Sequence, residues 1–154
     1  MGKLAKFKSR IRRTFNDSIY PGDDHIAKNI EHYEINDLQE TFQKKDWRDV
    51  SVEVSEAWRM STMLFTPKAF RYFLPAFLLG AVHKNAIEIS SYLIYALIPP
   101  NEPTELAQFI EMMNGFTDAQ RSVIGEWIKR FFDNNPIDDQ HHGEVTKAFW
   151  NITD

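Results

Sequence analysis

Carboxylate and imidazole side chains near residue 140 form the first group that could do chemistry. The run DDQHHGE contains Asp138, Asp139, His141, His142 and Glu144, and these side chains supply the oxygen and nitrogen ligands that many cations prefer. Neighbouring residues point in different directions and cannot all face one ion, but Asp138 and His142, four residues apart, could share one helix face. The HExxH pattern of zinc proteases is absent. Asp138 and His142 are therefore a candidate metal site, and a polar capped turn is the alternative.

A second candidate site lies on an otherwise apolar stretch. Arg71 and Tyr72 occur within TPKAFRYFLPAFLLG, residues 66–80, and His83 follows it. Together they could line a ligand pocket beside that helix. Alternatively, these residues have structural roles. Arg71 would then pair with a carboxylate or extend to water. His83 would lie at the carboxyl end of the helix, where the helix dipole favours an imidazolium. GxSxG, P-loop and GxGxxG motifs are absent, so nucleophilic catalysis has no support.

Six cations precede the first acidic residue, Asp17, and we call them the basic arm. The remaining twelve Lys and Arg against twenty-two Asp and Glu leave residues 17–154 with a charge of −10, although the whole chain carries −4. Apolar residues at every third or fourth position predict a basic amphipathic helix within residues 1–16, either peripheral or folded back onto the acidic body. Such an arm could also contact nucleic acid or anionic lipid. The basic arm consists of Lys3, Lys6, Lys8, Arg10, Arg12 and Arg13.

Composition limits the class of protein. A chain of 154 residues, 43% hydrophobic and with twelve Phe, predicts one domain spanning 1–154 with a substantial core. It has no cysteine, so disulfides and thiolate metal sites are excluded. The amino end lacks the apolar core of a secretory signal, which favours the cytoplasm. No cofactor is expected, and an enzymatic role is less favoured than a binding role.

The elements that would position these residues are predicted to be helices. Thr66-Pro67 is typical of a helix start, and the apolar residues that follow fall on one continuous face. Pro75 predicts a kink or a break, and the apolar run is too short to span a membrane. A helix is also predicted over 46–62. Residues 86–98 fit both a helix and a strand, and the neighbouring helices favour a helix. TDAQ at 117–120 predicts a capping box. The prediction is an all-α, or nearly all-α, compact bundle of six to seven helices around a proline-kinked central helix.

Three segments resemble a family of small uncharacterised bacterial proteins with an AFRYFLPA-type core helix. They are Trp47-Arg48-Asp49-Val50, then LFTPKAFRYFLPAFL at 64–78, then GFTDAQRSVIGEWIKRF at 115–131. The resemblance covers residues 36–132. It implies a bacterial cytosolic domain and supplies no activity and no catalytic residue.

The absence of catalytic motifs, the acidic body and the many aromatic residues favour a protein-binding module. The leading hypothesis is an immunity or antitoxin-like protein that occludes a partner, such as a toxin with a basic surface. The alternative is a small-molecule-binding protein or enzyme with a pocket beside helix 67–83. A third hypothesis is docking to nucleic acid or anionic lipid through the basic arm.

Overall fold

The computed structural model describes residues 2–83, 87–135 and 140–153, except for the side chains of residues 87 and 140–142. Within these residues there is no strand beyond one isolated bridge between Ala27 and Phe65. The all-α prediction is confirmed, with eight α-helices in the described residues where six to seven were predicted. The helices are α1 (Lys3–Thr14), α2 (Ile35–Phe42), α3 (Val52–Ala57), α4 (Pro67–Val82), α5 (Ile87–Leu97), α6 (Pro103–Asn114), α7 (Asp118–Asn134) and α8 (Gln140–Phe149), with short 3-10 helices at Asp23–His25, Trp47–Asp49 and Thr62–Leu64.

The chain packs as two compact units, Met1–Leu93 and Ile94–Asp154. The boundary falls inside α5, so the change of unit does not coincide with a loop. The expectation of one domain over 1–154 stays a prediction. No helix in the described part of the chain is long and apolar enough to cross a membrane.

Helix α4 is the centre of the first unit. Thr66 begins it as expected, because its Oγ1 accepts a hydrogen bond from the Ala69 N–H at 3.1 Å and Pro67 takes the first helical position. The helix continues through Pro75 without a break. Ten of its residues are buried, among them Phe73 and Phe77. Phe73 packs with Phe42 of α2 at 4.9 Å between ring centroids, the edge-to-face geometry that aromatic pairs prefer.

Helix α1 packs on α4 through its apolar stripe. Phe7 and Ile11 of this helix and Phe15 just after it are buried, with at most 2% of each side chain exposed. Burying three such side chains contributes about 1.5–3 kcal/mol each. Because that stripe fixes the rotation of α1, the positions of its basic side chains are fixed as well.

The predicted helix over 46–62 is wrong. The segment contains the 3-10 helix Trp47–Asp49, then α3 over Val52–Ala57 only, and then a turn. The interruption has a local cause: Asp46 caps the 3-10 helix and Ser51 caps α3, accepting from the Val54 N–H at 3.2 Å. Two capping side chains five residues apart favour two short helices over a continuous one.

Two other local predictions are confirmed. Residues Ile87–Leu97 form a helix, which settles the ambiguity of that segment. In the second unit the capping box is present at the start of α7: Thr117 Oγ1 accepts from the Gln120 N–H at 3.1 Å, and Gln120 Oε1 accepts from the Thr117 N–H at 3.0 Å. The unit is also tied by the Trp150 indole, which donates to the Leu97 carbonyl at 2.8 Å.

Candidate functional site

A cleft of about 660 Å³ opens in the first unit, and we call it the basic cleft. Its walls come from α1 and the residues after it, the 3-10 helix Trp47–Asp49, the start of α3 and the second half of α4. It is lined by Lys8, Ser9, Arg12, Arg13, Asn16, Trp47, Arg48, Val50, Ser51, Val52, Ala76, Leu79, Gly80 and His83.

Helix α1 supplies three of the cations. Lys8 is half-buried, whereas Arg12 and Arg13 are exposed. None of the three forms a hydrogen bond or an ion pair with any residue that the structure describes. Lys8 and Arg12 are one helical turn apart, so their charges lie on neighbouring parts of the same wall.

Arg48 supplies a fourth cation, and it is held in place. Its Nη1 pairs with Asp46 Oδ1 at 3.0 Å, and its Nη2 donates to Asn16 Oδ1 at 2.9 Å. The guanidinium carbon lies 4.7 Å from the centroid of the Trp47 ring, within the range of a cation–π contact. The Arg48 side chain therefore joins the 3-10 helix to Asn16, which follows α1, at the wall of the cleft.

The wall formed by α4 is mostly apolar. Ala76, Leu79, Gly80 and His83 follow spacings of three and four residues, which place them along one side of the helix. Leu79 is half-buried and contributes a branched aliphatic surface. The cleft therefore combines cations on α1 with an aliphatic wall on α4.

The basic cleft has the opposite charge sign to most of the protein. Among the residues that the structure describes, its lining includes four Lys and Arg side chains and no Asp or Glu, although residues 17–154 carry −10 overall. A concave surface lined by charges of one sign concentrates the electrostatic potential and attracts counter-ions. The nearest paired carboxylate is Asp46, whose pKa is lowered from its ordinary value, first by the hydrogen bond from the Arg48 N–H and then by the Arg48 side chain.

The structure places the three predicted pocket residues apart. His83 lines the basic cleft, but Arg71 and Tyr72 do not. Tyr72 is buried, and its hydroxyl accepts a hydrogen bond from the backbone N–H of Trp47 at 3.4 Å. Burial raises the pKa of the Tyr72 hydroxyl. Its ring packs edge-on against Tyr20, with 5.6 Å between centroids. Arg71 is half-buried, and its side chain is not free, because it already interacts with another group of the protein.

The candidate metal site lies outside the described residues. Asp138 and the side chain of His142 both belong to the part that the structure does not describe. Within the described part there is no group of three or more His, Asp or Glu side chains that could hold a metal ion.

The basic arm divides into two sets. Lys8, Arg12 and Arg13 line the cleft, whereas Lys3, Lys6 and Arg10 do not. Lys3 and Lys6 are exposed, and Arg10 is half-buried and engaged in an interaction. Lys8 and Arg12, four residues apart, share one helix face, whereas Arg13 is seven residues after Lys6 and lines the cleft from the last turn of α1.

Sequence reasoning missed Arg48 as a functional candidate, together with the α4 residues beside it. Arg48 lies in a segment that carries the family resemblance, and its partner Asn16 is 32 residues away in sequence. The spacing of Ala76, Leu79 and His83 is a signal in the sequence. The stronger apolar face of α4 lies on the other side of the helix and masks this signal.

A second surface carries exposed apolar side chains. The segments 26–34 and 59–66 adjoin through the Lys28 N–H, which donates to the Leu64 carbonyl at 2.8 Å, and through Ser61, which donates to Glu34 at 2.8 Å. We call the exposed apolar side chains of these two segments the apolar patch. They are Ile30, Tyr33, Met60 and Met63, each about half or more exposed.

A family model for a family of unknown function, DUF6714, matches residues 5–153. The chain belongs to this family. The match agrees with the resemblance to an uncharacterised family and extends it from residues 36–132 to almost the whole sequence. No curated protein and no solved structure matches the chain.

Proposed function

We propose that this DUF6714 member is a binding protein for a small, multiply charged anion, which it takes up in the basic cleft. The observation that carries the proposal is the convergence of Lys8, Arg12 and Arg13 on one concavity, without a carboxylate partner among the described residues. This keeps the expected pocket beside helix 67–83 and changes the residues that form it.

Electrostatics supports an anion of more than one charge. Like charges brought together in a cleft repel one another, and an anion between them replaces that repulsion with attraction. Near a protein surface, two opposite unit charges 4 Å apart attract by about 4 kcal/mol before the cost of desolvation. Guanidinium groups also match phosphate and carboxylate oxygens with paired donors, so Arg12 and Arg13 suit such a ligand.

The size and surroundings of the cleft favour a small ligand over nucleic acid. Its volume of about 660 Å³ lies within the range of roughly 300–1,000 Å³ that is usual for small-molecule sites. An extended nucleic acid would need cations beyond the cleft, but only three of the six cations of the basic arm line it. The −10 charge of residues 17–154 would also repel a long polyanion.

Calorimetric titration of the protein with pyrophosphate tests the proposal. The Arg12→Gln/Arg13→Gln double variant should bind at least about tenfold more weakly than the wild type, because it loses two charged contacts. Lys3→Gln/Lys6→Gln is the matched control, since it removes the same charge from the same helix outside the cleft, and it should bind nearly normally. Equal losses in both variants, or no binding of pyrophosphate by the wild type, would contradict the proposal. Stronger binding of a single-stranded RNA, weakened equally by both pairs, would point to nucleic acid.

The leading expectation from the sequence, a protein-binding module of immunity or antitoxin type, stays as the second candidate. The apolar patch favours it, because Tyr33 is 87% exposed and Met63 is 72% exposed. Aromatic residues and methionine are enriched at protein interfaces. Glu31 and Glu56, exposed on or beside the same segments, would suit a partner with a basic surface.

Co-expression with toxin genes encoded beside this chain tests the second candidate. Copurification and rescue of growth are expected, and Met63→Arg should abolish both by placing a cation against a basic partner. Ile19→Arg is the control, because Ile19 is also an apolar residue that is highly exposed, at 88% of its surface, and it lies outside the apolar patch. Growth rescue that survives Met63→Arg would exclude the apolar patch as the interface.

A further inference from the structure

We infer that the ligand of the basic cleft is an amphiphilic phosphate ester, in which a phosphate group meets the cations and a short apolar body lies on the aliphatic wall. This inference rests on the proposed function and adds the chemical class of the ligand.

The two chemistries of the lining are separated in space by the elements that supply them. The cations Lys8, Arg12 and Arg13 come from α1, whereas the facing α4 contributes Ala76 and Leu79. Val50, just after the 3-10 helix, and Val52, the first residue of α3, extend the aliphatic surface. A ligand that satisfies both surfaces needs a charged end and an apolar end.

The volume of the cleft supports a body larger than phosphate alone. One water molecule takes about 30 Å³ in the liquid, and inorganic phosphate is only a few times larger. Most of a cleft of about 660 Å³ would then remain filled with water against Leu79 and Val52. An apolar substituent on the phosphate would displace that water from aliphatic surface, which is favourable.

The phosphate end is favoured over a single carboxylate by the number of cations. A phosphate monoester carries a charge between about −1.5 and −2 at neutral pH and three acceptor oxygens. These oxygens match the several donors that Lys8, Arg12 and Arg13 present to one cavity. Such a group occurs both in free metabolites and in lipid headgroups, and the two sources share this chemistry.

A series of phosphates that differ only in the apolar body tests the inference by calorimetry. Inorganic phosphate, butyl phosphate and hexyl phosphate should bind with increasing affinity. Full burial of each methylene predicts about a fourfold gain, so hexyl phosphate should bind at least about tenfold more tightly than inorganic phosphate in this open cleft. Leu79→Ala should remove most of that gain. Val52→Thr, which conserves shape and adds a hydroxyl, should reduce the gain in the same direction if Leu79→Ala does not fold.

The series separates the inference from the proposed function on which it rests. Equal affinities for the three phosphates, all weakened by Arg12→Gln/Arg13→Gln, would overturn the amphiphilic ligand and leave anion binding in place. No binding of any phosphate would overturn both. Co-sedimentation with vesicles of phosphatidylcholine and phosphatidic acid, absent with phosphatidylcholine alone and lost in the double variant, would assign the ligand to a lipid headgroup. Binding of hexyl phosphate without co-sedimentation would assign it to a free molecule.

Discussion

The guanidinium of Arg48 lies over the indole ring of Trp47, with 4.7 Å between its central carbon and the ring centroid. The same guanidinium pairs with Asp46 and donates to Asn16, so three contacts fix one cation at the wall of the basic cleft. A cation fixed in this way is already positioned for a ligand, and the ligand does not have to order it.

The first prediction concerns Arg48→Lys, which keeps the charge and loses the planar donor geometry. We expect the affinity for pyrophosphate to fall by several-fold to tenfold, because a lysine lacks the planar fork that holds Asp46 and Asn16 and would not keep the cation at the same place on the cleft wall. The free energy of unfolding should change by less than about 1 kcal/mol, since the Arg48–Asp46 pair is about 40% exposed. Calorimetry and denaturant unfolding measure the two effects. Full retention of affinity by the lysine variant would show that charge alone matters at this position.

The second prediction concerns the pH dependence of stability through Asp46. Its carboxylate accepts the Arg48 N–H at 2.8 Å and pairs with the guanidinium, and these contacts lower its pKa below the ordinary value of 3.8. A carboxyl with a lowered pKa stabilises the folded state above its unfolded-state pKa, and the effect is lost as pH falls through the folded-state pKa. Asp46→Asn keeps a good capping side chain but cannot titrate. The difference in unfolding free energy between wild type and Asp46→Asn should therefore be constant near neutral pH and shrink below about pH 4. A wild-type minus Asp46→Asn difference that grows on acidification would contradict the sign derived above.

The third prediction concerns Gly80, where α4 approaches its neighbours closely. A Cβ at this position would lie 3.2 Å from the Cβ of Ser55 and 3.3 Å from Cδ1 of Ile89. Alanine in a helix interior gains about 1 kcal/mol over glycine, but the Ser55 Cβ is attached to a fully buried backbone that cannot move away freely. We expect Gly80→Ala to lower the free energy of unfolding by about 1 kcal/mol, because crowding costs about 1–3 kcal/mol.

Gly143→Ala is the matched control for Gly80→Ala. Gly143 also lies inside a helix, α8, and a Cβ there would meet no atom within 4 Å. It should raise the free energy of unfolding by about 0.5–1 kcal/mol. Stabilisation by both substitutions would mean that α3 and α5 can shift away from Gly80.

The fourth prediction concerns the capping box of α7. Thr117→Ala removes the acceptor for the Gln120 N–H and should cost about 1 kcal/mol of unfolding free energy. Thr153→Ala is the control in the same unit, since Thr153 is exposed and forms no hydrogen bond with a described residue. Denaturant unfolding of both variants checks the difference, and equal effects would contradict a capping role for Thr117.

Features that depend on interactions between residues close in sequence could be predicted from the sequence, and features that depend on long-range packing could not. The start of α4 at Thr66 and the capping box at Thr117 depend on residues three apart, and both were read correctly from the sequence. The segment 46–62 was misread as one helix, because its apolar spacing fits a helix while the caps at Asp46 and Ser51 divide it. The basic cleft could not be predicted, since it depends on which α4 side faces α1. That choice is made by tertiary packing of Phe7 and Ile11 and not by local pattern.

The last prediction is that the cleft cations serve binding and not folding. Arg12 and Arg13 are exposed and form no hydrogen bond or ion pair with described residues, so replacing them removes no such contact. Glutamine has nearly the helix propensity of arginine, and the double variant relieves repulsion with Lys8 and Arg48. Arg12→Gln/Arg13→Gln should therefore leave the free energy of unfolding unchanged or raise it by up to about 1 kcal/mol at low salt.

The same variant should lose the stabilisation that a ligand provides. Pyrophosphate at a hundred times its Kd would stabilise the wild type by about 2.7 kcal/mol, which thermal unfolding detects as a rise in Tm. The double variant at the same concentration should show little rise, whereas Lys3→Gln/Lys6→Gln should respond like the wild type. If the double variant instead unfolded more readily by well over 1 kcal/mol without ligand, Arg12 and Arg13 would be structural residues. We expect this behaviour of a binding site: without an anion, the two arginines do not stabilise the fold, and with an anion bound they are needed for the added stability.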